Sequence, residues 1–181
     1  MNGDATVPNP NDDDVVELLK LNGLTGQPQY IRYEDRGYDP QWCHVSAKHC
    51  AVIDGGKRVH GWALWRFEDP TAPGGQTIAV AEHHSVWESQ DGELVDVTPP
   101  RFGRASVLFV RDDTATIEFR DNSFLMRTEL TNWPEVPRML FGIPTSSAVY
   151  PLVPSERPDV IAYAARLGFD IALLATDESH G

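Results

Sequence analysis

The sequence predicts an α+β fold, with an antiparallel sheet packed on a cysteine-bearing helix. Three observations predict it. Residues 81–87 and 93–99 alternate in polarity around Ser89-Gln90-Asp91-Gly92, and an Asp-Gly between such runs is a strong hairpin signal. Residues 43–53 read as three turns of helix that open on Cys43 and stop at Asp54-Gly55-Gly56. Strand-like runs at 58–67, 77–80, 106–110 and 116–119 supply the rest of a sheet of about five strands.

Residues 1–12 are rich in Asn, Asp and Pro and are expected to form a flexible leader. Residues 13–181 then form a single globular domain, with a catalytic-like core over about 40–120. Asp12, Asp13 and Asp14 suit the start of a helix over 15–21, whose Val15, Leu18, Leu19 and Leu21 make an apolar stripe closed by Asn22-Gly23. Residues 29–33 read as a short strand and 35–40 as a turn-rich loop. The run at 77–80 continues into the hairpin arm that carries His83 and His84. Six X-Pro pairs break residues 121–158, which read as loops with one short helix around 124–130. A last helix over 160–167 ends at Gly168, and 169–174 reads as a final strand.

The chain has 181 residues, 41% hydrophobic and 23% charged, as an ordinary globular domain has. A net charge of −12 argues against attraction to nucleic acid or to an anionic membrane. No apolar run reaches the roughly 20 residues that span a bilayer. Met1-Asn2-Gly3-Asp4 has neither the basic nor the apolar part of a signal peptide, so the expected location is cytoplasmic. Cys43 and Cys50 lie seven apart on one expected helix, with Cα atoms about 10 Å apart, too far for a disulfide. Two free thiols suit a reducing compartment.

The chemistry concentrates in the hairpin. One arm carries His83 and His84, and the other ends on Asp96 before Thr98-Pro99. Strands sit about 4.8 Å apart, so a His and an Asp on one face can hydrogen-bond. An Asp that orients a His is two parts of a nucleophilic triad, and Cys43 upstream is the candidate third. It falls in the first turn of its helix, where unpaired N–H groups suit a nucleophilic sulfur. Register decides which histidine acts. A two-residue loop at Asp91-Gly92 puts His83 on the face of Asp96. A three-residue loop with Gly92 left-handed puts His84 there instead.

The order Cys on a helix, His on a strand, Asp on the next strand resembles the transglutaminase-like branch of the papain-like cysteine-enzyme superfamily. The matching pieces are Trp42-Cys43, Arg58-Val59-His60-Gly61-Trp62, His84-Ser85-Val86-Trp87 and Asp96-Val97-Thr98. They cover residues 40–100, and Asp-Val-Thr stands where that family commonly has Asp-Pro-Thr. The resemblance implies a papain/transglutaminase-like core and a cysteine hydrolase or acyltransferase: an amidase, peptidase, deamidase or acyltransferase working through a thioester at Cys43. His84 or His83 would be the base and Asp96 its orienting group. Gln41, Trp42 and the Cys43 N–H would serve the oxyanion, and Trp62 and Trp87 would wall the substrate. No cofactor is implied, and the partner would be a peptide, a protein or a small amide.

Two other classes compete. Cys43, Cys50, His83 and His84 are four ligands of the kind zinc takes, although adjacent strand residues point to opposite faces. A non-catalytic protein-binding module could keep the same fold. Cys50, with Ala47 and Ile53, reads as core, while His44, His49 and His60 read as surface or supporting residues. Trp42, Trp62, Trp65 and Trp87 read first as core, and some of them as walls of a cleft beside Cys43.

Overall fold

A computed structural model of the chain describes residues 5–68, 77–100, 102–120, 123–152 and 157–175. The elements are α1 (Asp13–Asn22), β1 (Gln29–Arg32), α2 (Cys43–Asp54), β2 (Lys57–Glu68), β3 (Thr77–Glu88), β4 (Leu94–Val95) and β5 (Ser106–Arg111). They continue as β6 (Glu118–Arg120), β7 (Ser123–Arg127), β8 (Glu129–Thr131), β9 (Arg138–Leu140), β10 (Ile143–Pro144), β11 (Val149–Pro151), α3 (Arg157–Arg166) and a short 3-10 helix, Ile171–Ala175. The class is α+β, with three helices and a sheet whose ladders are antiparallel.

Helix α1 is placed by Val15 and Leu18, both fully buried, and is ended by Gly23 in the left-handed region (φ 66°). Burying each such side chain stabilises by about 1.5–3 kcal/mol. The Asp12 side chain makes no N-terminal cap bond. Asp12 and Asp14 instead accept from Arg66 of β2, with Arg66 Nε donating to Asp14 at 2.7 Å. Thr6 exchanges two backbone hydrogen bonds with Arg66, and Ala5 is 1% exposed. A buried Ala5 and the paired backbone of Thr6 thus lay the start of this segment along the sheet. Residues 1–4 lie outside the described residues.

The large sheet runs β1-β5-β2-β3-β8-β9-β10, with β4 also on β3. Its centre is the pairing of β2 with β3, which is continuous from Lys57–Glu88 to Glu68–Thr77. Both faces are covered. Val59, Ala63, Trp65, Val80 and Val86 pack with Ile31, Val107 and Phe109 on one side. Trp62, Leu64, Ala79 and Ala81 pack under α1 on the other, and Trp87 and Val95 pack under α2 beside them. Two-sided burial explains why β2 reads as a continuous apolar run. Gly61 is required there, since a Cβ would stand 2.1 Å from the Val110 carbonyl oxygen and 2.5 Å from the Phe109 ring. A bridge between Tyr33 and Asp96 ties the chain after β4 back to the end of β1, so the sheet curls until its two sides meet.

Residues 121–158 depart from the expected loops and short helix. The stretch expected to be helical around 124–130 is split between β7, in a three-stranded sheet of order β11-β7-β6, and β8 on the large sheet. The prolines do not abolish strands; they confine them to edges. Pro144 lies in β10 and Pro151 in β11, each the outer strand of its sheet, where a missing N–H costs no ladder bond. The final strand expected at 169–174 is the 3-10 helix, whose first turn is held by Asp170 accepting from Ala172 N and Leu173 N. No helix among the described residues is long and apolar enough to cross a membrane.

Candidate active site

The hairpin register follows the second of the two expected loops. Gly92 is left-handed (φ 83°), Ser89 receives the Gly92 N–H, and Val95 pairs with Trp87. Asp96 therefore falls opposite Val86 and shares a face with His84, two residues back. The His84 Nε2–H donates to Asp96 Oδ2 at 3.0 Å. Asp96 Oδ1 accepts from the Thr98 backbone N–H, also at 3.0 Å. Its main chain is held too, because Asp96 N donates to the Arg32 carbonyl and its carbonyl accepts from Glu34 N. At 2% exposed, the carboxylate is fixed in place on every side.

Cys43 is the first residue of α2 and is buried. Its thiol hydrogen-bonds with His84. On the same edge of β3, pairing to β8 covers residues 80–81 and pairing to β4 covers 87–88. Burial alone would depress the His84 pKa, but the Asp96 charge and a hydrogen bond with Cys43 outweigh it and hold the imidazole well above its ordinary value. Just before the helix, Gln41 adopts φ 77°, a conformation that a side-chain-bearing residue rarely takes. The chain is thereby folded back so that Gln41 and Trp42 stand beside Cys43.

These residues line a cleft of about 450 Å³. Gln41, Trp42, Cys43, His84 and Asp96 line it, and so do Phe141 and Tyr150. Trp42 stacks on Tyr163 with ring centroids 6.4 Å apart. Trp65 also faces the cleft and donates its indole N–H to Glu82 at 3.2 Å. Trp62 and Trp87, expected as cleft walls, do not line it. They lie on the opposite face of the sheet, in the core, donating to Asp112 and to the Gly55 carbonyl. The alternation of β2 and β3 separates the tryptophans this way: Trp65 is an odd number of residues from Trp62.

The four residues of the zinc alternative are not brought together. His84 points toward Asp96 and His83 to the other face, where its Nε2–H donates to the Ala115 carbonyl at 2.6 Å. Cys50 lies under Tyr38, whose hydroxyl is 3.2 Å from Sγ, and burial raises its thiol pKa. A different histidine group forms instead. His44 and His60, expected at the surface or in support, are buried with His83, and their ring nitrogens lie within 4.8 Å of one another. Ser85 Oγ joins His44 Nδ1 (2.7 Å) and His60 Nδ1 (3.0 Å). The signal was present in the pairing, since His60 stands directly opposite Ser85 and Ser85 follows His83 by two. It requires the strand partner to be known, which periodicity along one strand does not supply. The Phe141–Tyr150 wall comes from the proline-rich region and carried no signal of its own.

A scan of protein-family models, a search of curated proteins and a search of solved structures each find no match to the chain.

Proposed function

We propose that the protein is a cysteine-dependent hydrolase or acyltransferase that acts on the amide of a peptide, a protein or a small molecule through a thioester at Cys43. The observation that carries this reading is one imidazole, His84, shared by a buried aspartate 3.0 Å away and by the Cys43 thiol, at the wall of a cleft. The order of these three residues along the chain resembles the transglutaminase-like branch of the papain-like enzymes.

The chemistry follows from the bonding. A carboxylate only accepts, so Asp96 fixes the His84 proton on Nε2 and leaves Nδ1 to take the thiol proton. The sulfur attacks the carbonyl carbon, and the oxyanion is met by the Cys43 backbone N–H and the Gln41 side chain. His84 returns its proton to the departing amine, which leaves a thioester on Cys43. Water or a second amine, deprotonated by His84, then attacks the thioester and releases the acid or the new amide. Trp42, Trp65, Phe141 and Tyr150 offer apolar walls for the flanking part of the substrate.

Timed alkylation with iodoacetamide at pH 7 tests this. Cys43 is expected to react at least tenfold faster than Cys50, and hydroxylamine is expected to trap acyl groups from glutamine-containing peptides in the wild type but not in Cys43→Ala. Equal alkylation rates at the two cysteines would sink the reading in favour of a non-catalytic binding module.

A further inference from the structure

On the face of β3 opposite His84, we infer a zinc-type metal site formed by His44, His60 and His83. It uses neither cysteine and is independent of the thioester reading. One nitrogen from each ring lies within 4.8 Å of the others, and all three residues are at most 7% exposed. They come from three elements, α2, β2 and β3, which is how a site is built rather than how a sequence tract happens to cluster.

The bonding around the rings leaves one nitrogen without a partner among the described residues, and another as an acceptor at the long end of the range. His83 must carry its proton on Nε2, because a carbonyl oxygen, that of Ala115, is the partner there. Its Nδ1 then holds a lone pair, which accepts from the Arg127 backbone N–H at 3.3 Å. His44 Nδ1 is taken by Ser85 Oγ, while His44 Nε2 is buried with no hydrogen-bond partner. A buried polar atom without a partner is uncommon and calls for a ligand, an ion or a water. Ser85 and the Ala115 carbonyl act as outer groups that fix the rings, the arrangement typical of metal-bound imidazoles.

Three neutral imidazoles suit zinc and the neighbouring first-row dications. Zinc–nitrogen bonds of about 2.0–2.1 Å put tetrahedral ligands about 3.4 Å apart, so ring nitrogens within 4.8 Å of one another would close in by up to about 1.4 Å on binding. His44 and His83 also line the cleft, which leaves the fourth position open to it. Bound metal would tie the start of α2 to β2 and β3, one residue from Cys43 on the helix and one from His84 on the strand. It would thereby hold the two reacting groups of the cleft in register.

The test uses the whole protein, stripped with chelator and titrated with zinc chloride alone. One equivalent is expected to bind and to raise the thermal midpoint. His60→Asn and His83→Gln are each expected to weaken zinc at least 100-fold, and Ser85→Ala 10- to 100-fold. Cys43→Ser is expected to bind as the wild type does. Cobalt chloride in the wild type gives a readout that needs no variant: a visible tetrahedral band without a thiolate charge-transfer band supports the three-histidine set. No binding at 100-fold excess metal, a thiolate band, loss of binding in Cys43→Ser, or unchanged binding in a folded His60→Asn would each overturn it. The last outcome would mean an adventitious ion only.

Discussion

His83 and His84 are neighbours on β3, and their surroundings differ in almost every respect. His84 faces a carboxylate and a thiol at the wall of a cleft, and those partners raise its pKa against the effect of burial. His83 faces a carbonyl, two other imidazoles and the indole of Trp62, and burial takes its pKa down to about 3. His44 beside it is also held well below its ordinary value, by burial first and then by the neighbouring rings and Arg58. One face therefore keeps an imidazole that can exchange protons with its partners, and the other keeps imidazoles neutral. The lesson is that the pleat of a single strand, and not the residue type, assigns these two roles. It also separates the thioester reading from the metal reading, since each depends on a different face.

The largest effect expected comes from breaking the cleft face alone. Asp96→Asn leaves a side chain of the same size but presents an amide to His84 and removes the fixed proton position. In a well-studied serine triad this type of change costs about 10⁴-fold in rate, and a loss of that order is expected in Cys43 acyl transfer. The geometry gives Asp96 a second task, accepting the Thr98 N–H, so a stability loss of about 1 kcal/mol is expected as well. Turnover and the urea midpoint should be measured on the same preparation. A lowered midpoint with unchanged Cys43 chemistry would reduce Asp96 to a turn residue and make the two faces alike.

The face of β3 that carries His83 is broken by Ser85→Ala. The hydroxyl bridges His44 and His60, and its removal leaves two buried ring nitrogens without that partner. A destabilisation of about 1–3 kcal/mol is expected in chelator-treated protein, read from the denaturant midpoint. A change below a few tenths of a kcal/mol would mean that the histidines repair their own bonding. The contrast between the His83 face and the His84 face of β3 would then weaken.

Much of the His84 face was legible before the fold was known. Asp-Gly between alternating runs located the hairpin, and the choice between His83 and His84 reduced to whether the loop holds two residues or three, which the pairing of Val95 with Trp87 sets at three. Helix α2 was legible because it starts at a proline-led turn and stops at Gly55-Gly56. The cleft walls were not. Trp62 and Trp87 were assigned by residue type, while strand parity sends them to the core. The histidine cluster depends on three elements meeting, and a non-local meeting leaves no local periodicity. The proline-rich region misled for a related reason. X-Pro pairs read as breaks, but an edge strand has a free side on which a missing donor costs nothing.

The smallest effect sharpens the same contrast along α2, where Cys43 opens on the cleft and Cys50 is sealed beneath Tyr38. Burial raises the Cys50 thiol pKa above its ordinary 9.0, with Tyr38 and Arg36 opposing only in part. Below about pH 8 both folded and unfolded chains keep this proton, and Cys50 adds no pH dependence. Above that, the unfolded chain loses the proton first, so it binds fewer protons than the folded one. Stability then falls as pH rises. Tyr38 is shifted in the same direction, but its unfolded value of 10.0 places most of its contribution higher. Between about pH 8 and 9.5, Cys50→Ala is therefore expected to flatten the alkaline decline. At pH 7 it should cost only about 1 kcal/mol of lost burial. Urea midpoints at three pH values across that window measure it. An unchanged slope would show that Cys50 ionises as easily folded as unfolded, and the helix would then carry two accessible thiols rather than one.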